Sequence, residues 1–149
     1  MTQSQITFDL INHMAQTSDL QYLANWEMLN QALFHPLVNA VKFSKLNSRI
    51  KMTLRMQEID SKLATLQCVV KDKGKGIARE QLKSLFQEFT NGDQRQLERD
   101  ESGAHMFDPT RGFSLGLSTT KSLARVQDGH VHVKSDLGLY TAVTITIRV

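Results

Sequence analysis

The hydrophobic residues change from helical to alternating spacing after Phe43, and this change constrains the fold more than any other feature. Between Trp26 and Phe43 the apolar side chains recur at helical spacing. Asn47 and Ser48 interrupt the pattern, and Arg49–Gln57 and Lys62–Lys71 then alternate polar and apolar residues. Such alternation across a short connection predicts a strand hairpin. The chain therefore combines a helix with sheet in one mixed fold.

The remaining segments extend this order. Gln5–Ile11 is a candidate edge strand, Arg79–Phe89 a short amphipathic piece, Ser118–Val126 a helix that Gly129 ends, and His130–Lys134 and Ala142–Val149 two further strands. The order β, α, β, β, α, α, β, β predicts an α/β two-layer sandwich. Its sheet is mixed and largely antiparallel, with about five strands and about three helices on one face.

Composition excludes several classes of protein. The 149 residues suit a single domain, 1–149, and 40% of them are hydrophobic. The net charge of +3 is scattered, so we expect no nucleic-acid partner. No segment is apolar enough for membrane insertion, and no signal peptide is visible. Cys68 is the one cysteine and lies in a predicted strand, which indicates a buried thiol and a reducing, cytoplasmic location. The chain could still belong to a longer, membrane-anchored protein.

The predicted helix carries a proline and a polar stripe. Pro36 removes a backbone donor, so either the helix kinks there or the helix starts near His35 with Pro36 in its first turn. At helical spacing Gln31, His35, Asn39 and Lys42 share one side. The stripe is either a solvated face or a row of ligand groups. An amide oxygen suits a hard cation, an ammonium suits phosphate, and an imidazole can act as a base.

Two glycine-rich segments follow strands or precede helices. Asp72–Ile77 (DKGKGI) places a carboxylate at a strand end beside two glycines, where a backbone can approach a ligand closely. The alternative is an ordinary Asp-Gly turn. Arg111–Lys121 (RGFSLGLSTTK) leads into a predicted helix N-terminus, which favours an anion. The alternative is a helix start capped by serine.

Together these segments resemble, in order, the four motifs of the histidine kinase ATP-binding domain. VNAVKFS resembles the asparagine box NLLxNAxKFT, DKGKGI the first glycine box DxGxGI, and LFQEF the phenylalanine box. GFSLGLSTTKSLARVQDGHVHVKSDLGLYT resembles the second glycine box and its tail. The resemblance extends to the superfamily shared with gyrase B, Hsp90 and MutL, and it implies the Bergerat ATP-binding fold.

The resemblance implies a role for each matching residue. Asp72 would accept the adenine amino group, Asn39 would coordinate Mg²⁺, and Lys42 would reach a phosphate of ATP. Thr90–Arg111 would form a mobile lid, anchored by Phe86 and Phe89 at its start and hinged by glycines at its end. The implied catalytic residues are His35, Asn39 and Lys42. The implied nucleotide-binding residues are Asn39, Lys42, Asp72, Gly74, Gly76, Ile77, Phe89, Gly112, Ser114, Leu115, Gly116, Leu117 and Thr141.

Several residues depart from the family pattern. His35 stands where many kinases have asparagine and the ATPase relatives have a catalytic glutamate; chemotaxis kinases also have histidine there. Pro36 replaces a common leucine, Ser114 a glycine of the second glycine box, and Tyr140 a glycine of its tail. All these changes touch the phosphate side of the expected site. The sequence therefore supports nucleotide binding more strongly than turnover.

The resemblance implies a domain of a sensor histidine kinase in two-component signalling. It would transfer the γ-phosphoryl group of Mg-ATP to a histidine on a separate dimerisation domain, which serves a response regulator. No motif like SHELRTPL occurs here, so we expect that phosphoacceptor upstream in a longer chain or on another protein. One alternative is a degenerate domain with weak or no turnover that acts as a protein-interaction module. Another is a stand-alone ATPase or serine kinase, against which the phenylalanine box and the Lys-Phe pair after Asn39 argue.

Overall fold

A computed structural model describes residues 6–13, 24–60, 62–83 and 111–149, with only the backbone described at 111–115. Within these residues the chain forms five strands and three helical segments. In chain order they are β1 (Thr7–His13), α1 (Trp26–Phe43), β2 (Arg49–Glu58), β3 (Ala64–Asp72), α2 (79–83), α3 (Arg111–Val126), β4 (His130–Asp136) and β5 (Tyr140–Arg148). The predicted order of elements is confirmed.

The strands form one mixed sheet in the order β1-β2-β3-β5-β4. β1 pairs in parallel with β2, and the other three pairs are antiparallel. A parallel pair needs a crossover connection, and the connection from β1 to β2 contains α1. The predicted fold class and the edge position of the first strand are both confirmed.

The core lies between one face of the sheet and the two long helices. Alternate residues of β3 and β5 point to this face, and side chains of α1 and α3 pack on them. The main members are Leu29, Leu33, Ala40, Leu66, Cys68, Val70, Ala124, Ile145 and Ile147. Burial of a leucine or isoleucine contributes about 1.5–3 kcal/mol. The alternation of strand residues and the helical spacing of Leu29 and Leu33 therefore seat α1 over the central strands.

Cys68 behaves as a core residue. Its side chain is fully buried on β3, and burial raises the pKa of its thiol to about 11. A thiol with this pKa is almost entirely protonated at neutral pH and is a poor nucleophile. The interpretation of Cys68 as a small buried hydrophobe is confirmed.

Helix α1 runs without interruption through Pro36, which is buried. The alternative in which the helix starts near His35 is therefore wrong. At its N-terminus the Asn25 side chain accepts a hydrogen bond from the Met28 amide at 3.0 Å. At its C-terminus the Ser44 amide donates to the Ala40 carbonyl at 3.0 Å. A proline in this interior costs about 3 kcal/mol unless the lost hydrogen bond is compensated.

Helix α3 begins at Arg111, so the prediction that it begins at Ser118 was wrong. The second glycine box lies inside the helix instead of ahead of it. A glycine in a helix interior costs only about 1 kcal/mol, which packing of the buried Leu117, Thr120 and Ala124 outweighs. Beyond Val126, the Gly129 amide donates to the Ala124 carbonyl at 2.9 Å, which agrees with the predicted helix end.

No helix among residues 6–13, 24–60, 62–83 and 111–149 is long and apolar enough to cross a membrane.

The N-cap of α1 provides a test of this helix boundary. Asn25→Ala removes the acceptor of the Met28 amide, and we expect the free energy of unfolding to fall by about 1 kcal/mol. Asn30→Ala is the control, because Asn30 is exposed within the same helix and alanine favours helices there. Urea denaturation measures both variants. Equal losses in the two variants would contradict the assigned cap.

Candidate nucleotide-binding site

Asp72 ends strand β3 as a buried carboxyl. Its side chain is 5% exposed, and its Oδ1 accepts a hydrogen bond from the Thr141 amide on β5 at 3.3 Å. Burial raises the pKa of the Asp72 carboxyl, and hydrogen bonds from the Thr141 and Gly74 amides offset part of this rise. A buried carboxyl with a perturbed pKa is a common feature of functional sites.

Gly74 lies where the end of α1 meets the first glycine box. Gly74 and Ser44 form an isolated bridge, and the Lys75 amide donates to the Phe43 carbonyl at 3.2 Å. A Cβ on Gly74 would lie 2.3 Å from the Phe43 carbonyl oxygen and 2.7 Å from Asp72 Oδ1. Only glycine fits this position, so the box holds the end of α1 beside the buried carboxyl.

The β4–β5 hairpin packs on the same box from the other side. Gly76 has a φ of 64°, and a Cβ there would lie 2.0 Å from the Asp136 carbonyl oxygen. The Gly138 amide donates to the Lys75 carbonyl at 2.6 Å, and Lys45 Nζ donates to the Gly138 carbonyl at 2.6 Å. The segment after α1, the glycine box and the hairpin are thus connected by hydrogen bonds.

Ser135 connects three site segments, and sequence reasoning missed it. Its Oγ accepts a hydrogen bond from the Ile77 amide at 2.8 Å and donates to the Tyr140 carbonyl at 2.7 Å. Thr141 Oγ1 lies 2.9 Å from the same atom, so the threonine hydroxyl is left as the donor of that pair. The strand pattern marks this serine only as part of a strand connection, but Ser135 matches a serine in the family tail after the second glycine box, and that match was the signal that could have found it.

The polar stripe of α1 borders this region. His35 and Asn39 are half-buried, whereas Gln31 and Lys42 are exposed. The Asn39 Nδ2 atom is buried and has no hydrogen-bond partner among the described residues. Amide nitrogen and oxygen are interchangeable by rotation of the side chain, so Asn39 has one amide atom available for a ligand.

Positive charge gathers at the end of this stripe. The ammonium groups of Lys42 and Lys75 lie 5.2 Å and 4.5 Å from the centre of the Phe43 ring. Among the described residues, the ion pair joins Arg49 to Asp9. Neither the Lys42 nor the Lys75 ammonium is therefore paired with a carboxylate of the described residues. Cations on an aromatic face without a carboxylate partner favour an anionic ligand nearby.

The second glycine box meets the stripe at His35. A Cβ on Gly116 would lie 3.0 Å from the Cβ, Cγ and Nδ1 atoms of His35, so α3 approaches α1 closely there. Leu117, the next residue, is buried with Val133 and Val143 in a small second core cluster, against which the partly buried Ile77 packs. The side chain of Leu117, which was predicted to bind nucleotide, therefore packs against other protein side chains in the core.

Other predicted site residues are described only in part. Gly112, Ser114 and Leu115 lie within α3, so the glycines expected to hinge the lid ahead of this helix belong to the helix itself. Phe86, Phe89 and the expected lid lie outside the described residues, except that Arg111 begins α3. Of the predicted set, the structure brings Asp72, Gly74, Gly76, Ile77 and Thr141 together in one group, and His35, Asn39 and Gly116 in another.

A family profile identifies the class of protein. The profile described as "Histidine kinase-, DNA gyrase B-, and HSP90-like ATPase" matches residues 24–149, which include every site residue above. The chain belongs to this ATPase family.

The individual relatives are sensor kinases that contain a segment similar to this chain. The chain is 30% identical over 133 residues to the Autoinducer 2 sensor kinase/phosphatase LuxQ of Vibrio vulnificus strain YJ016, covering 89% of this chain and 14% of LuxQ. It is 28% identical over 123 residues to Sensor protein EvgS of Escherichia coli K12, covering 83% and 9%. It is 30% identical over 119 residues to Hybrid signal transduction histidine kinase B of Dictyostelium discoideum, covering 80% and 6%. The chain thus spans a small part of each of these sensor kinases.

Solved structures share the fold. Full-length ShkA in complex with AMPPNP superposes with a TM-score of 0.65 at 23% identity, covering 95% of this chain and 25% of ShkA. The mycobacterial sensor histidine kinase MprB superposes with a TM-score of 0.61 at 23% identity, covering 96% and 81%. The family profile confirms the predicted superfamily, and these superpositions confirm its fold.

The two glycines Gly74 and Gly138 allow a matched test of the close approach at the site. Gly74→Ala places a methyl group against the Phe43 carbonyl, and we expect the free energy of unfolding to fall by about 2–4 kcal/mol. Gly138→Ala meets open space at a φ of 79°, so only the backbone conformation costs free energy, about 1 kcal/mol. Urea denaturation compares them. A Gly74→Ala loss no larger than that of Gly138→Ala would contradict the assigned contact.

Proposed function

We propose that this chain is the catalytic, ATP-binding domain of a sensor histidine kinase. It binds Mg-ATP and transfers the γ-phosphoryl group to a histidine on a separate dimerisation domain, in the same chain or in another. The observation that carries the proposal is the buried Asp72 carboxyl, followed in the chain by two glycines, Gly74 and Gly76, that admit no side chain. The named sensor kinases among the relatives support the assignment to two-component signalling.

Asp72 recognises the adenine base in this proposal. The Asp72 carboxyl, which is held by the Thr141 amide, presents an acceptor to the adenine amino group. The base lies close to the backbone of Gly74 and Gly76, where no side chain intervenes. Ser135 holds the Ile77 amide and Thr141 in place around the base. Because the site is buried, a hydrogen bond between ligand and carboxyl is stronger than in water.

The phosphates lie toward α1 and α3. If the Asn39 side chain is turned so that its oxygen takes the unpartnered position, that oxygen would serve as a ligand for magnesium, which prefers oxygen ligands. When bound, the ion neutralises charge on the phosphates during transfer. Lys42, with Lys75 nearby, supplies further positive charge, and the half-buried His35 can hydrogen-bond a water or a phosphate oxygen. Phosphoryl transfer needs such positioning and charge far more than covalent help from the protein.

The metal role of Asn39 predicts a magnesium-dependent loss. In Asn39→Ala, transfer of labelled phosphate from ATP to a supplied dimerisation domain should fall at least about 100-fold, because positioning of the phosphates is lost. By calorimetry, ADP binding without magnesium should remain within about threefold of the native value, since adenine contacts persist. Gln31→Ala is the control, an exposed residue two turns earlier on the same stripe.

Full phosphotransfer by Asn39→Ala would contradict this role. If the native chain bound neither ADP nor a non-hydrolysable ATP analogue at millimolar concentration with magnesium, the kinase proposal would fall, and the protein-interaction module would replace it.

Asp72→Asn should separate binding from stability. The variant retains an oxygen for the Thr141 amide but presents an amino group toward adenine, so nucleotide binding should weaken by about 1–3 kcal/mol. Because the pKa of Asp72 is raised in the folded chain, its carboxyl group binds a proton more firmly there than in the unfolded chain. Stability from this group is therefore present at low pH and is lost as pH rises through the folded pKa.

Asp72→Asn should consequently be at least as stable as the native chain at neutral pH. The difference in free energy of unfolding between the two should become smaller as pH falls toward about 4. Calorimetry with ADP and urea denaturation across pH measure the two effects. Asp9→Asn, on the edge strand β1, controls for loss of a carboxylate elsewhere. Unchanged ADP affinity in Asp72→Asn would show that another group recognises adenine.

A further inference from the structure

The buried contact between α1 and α3 contains a hydrogen bond that the sequence of α1 makes necessary. In a helix the amide of residue 36 would donate to the carbonyl of Ala32, but proline has no amide hydrogen. Ala32 and Pro36 are both buried, so water does not readily take the place of that donor. An unsatisfied buried carbonyl is costly to the folded state.

Thr120 of α3 supplies a donor at this point. It is fully buried, and its Oγ1 lies 3.0 Å from the Ala32 carbonyl oxygen and 3.0 Å from the Gly116 carbonyl oxygen. The hydroxyl has one proton and can donate to one of them at a time. The Gly116 carbonyl already receives the helical amide of Thr120 itself, four residues later in α3. The Ala32 carbonyl therefore has the greater need of the hydroxyl proton.

The position of this bond relates it to the site. Ala32 lies one turn before His35 and Pro36, and Thr120 lies one turn after Gly116. Gly116 is the residue whose backbone touches the His35 ring. The hydrogen bond and this contact are thus two adjacent points of attachment between α1 and α3. Together they determine the distance and rotation of the second glycine box relative to His35 and Asn39.

We propose that Thr120 is a positioning residue, matched to Pro36, whose hydroxyl replaces the missing amide of α1 and holds the second glycine box against the phosphate side of the site. The inference concerning phosphate rests on the proposed nucleotide-binding function. The pairing of Thr120 with Pro36 rests on the hydrogen-bond geometry alone.

A double-mutant cycle tests the pairing. Thr120→Val removes the hydroxyl and keeps the branched shape, and Pro36→Ala restores an amide that can bond Ala32 within α1. In the native background, which keeps Pro36, we expect Thr120→Val to lower the melting temperature by about 3–8 °C. In the Pro36→Ala background the same substitution should cost less than half as much, because the carbonyl has regained its partner.

Nucleotide affinity is the second measurement, because it would not change if Thr120 only stabilised the fold. With magnesium and well below the melting temperature, Thr120→Val should weaken binding of a non-hydrolysable ATP analogue about fivefold or more. Thr120→Ser keeps the hydroxyl and should remain within about twofold of the native affinity. In the Pro36→Ala background the effect of Thr120→Val on affinity should shrink in the same proportion as the effect on melting temperature.

Equal melting-temperature losses in the two backgrounds would overturn the pairing. A lower melting temperature with unchanged affinity in Thr120→Val would overturn the positioning role. If the native chain bound no nucleotide, the proposed function would fail and the positioning role would fail with it, whereas the melting-temperature cycle would still decide the pairing of Thr120 with Pro36.

Discussion

The close approach between the end of α1 and the first glycine box is the constraint on which the rest of the site depends. The Phe43 carbonyl occupies the space that a side chain at residue 74 would need. Because the two backbones touch there, the end of α1 is held beside the buried Asp72 carboxyl of β3, and we propose that Asp72 and the Asn39 amide of α1 serve one site. A larger residue at position 74 would move α1 and with it the phosphate side.

A second contact sets the other boundary of the site. Gly116 lets α3 reach the His35 ring, and the Thr120 hydroxyl meets the Ala32 carbonyl one turn away. α1 is thus held at its end by the glycine box and in its interior by α3. The departures from the family pattern at His35 and Pro36 both lie in the part of α1 that meets α3.

Much of this arrangement could be predicted from the sequence because it depends on local periodicity. The bounds of α1 and the alternation of β2 and β3 follow from the spacing of apolar residues, and the first glycine box indicates Asp72. Tolerance of Pro36 could not be predicted, since its compensating hydroxyl acts 88 positions away from Ala32. The start of α3 was missed for a similar reason: packing on α1 and the sheet outweighs the low helix propensity of its glycines.

The central claim is that these two contacts enclose one nucleotide site, with adenine at Asp72 and phosphates beside Asn39. Amide chemical shifts of the ¹⁵N-labelled chain, titrated with ADP and magnesium, test it most directly. The account predicts the largest saturable shifts at the amides of Gly74, Gly76 and Thr141, followed by Asn39. No shifts at millimolar ADP, or shifts confined to the exposed His130 and His132 of β4, would contradict it.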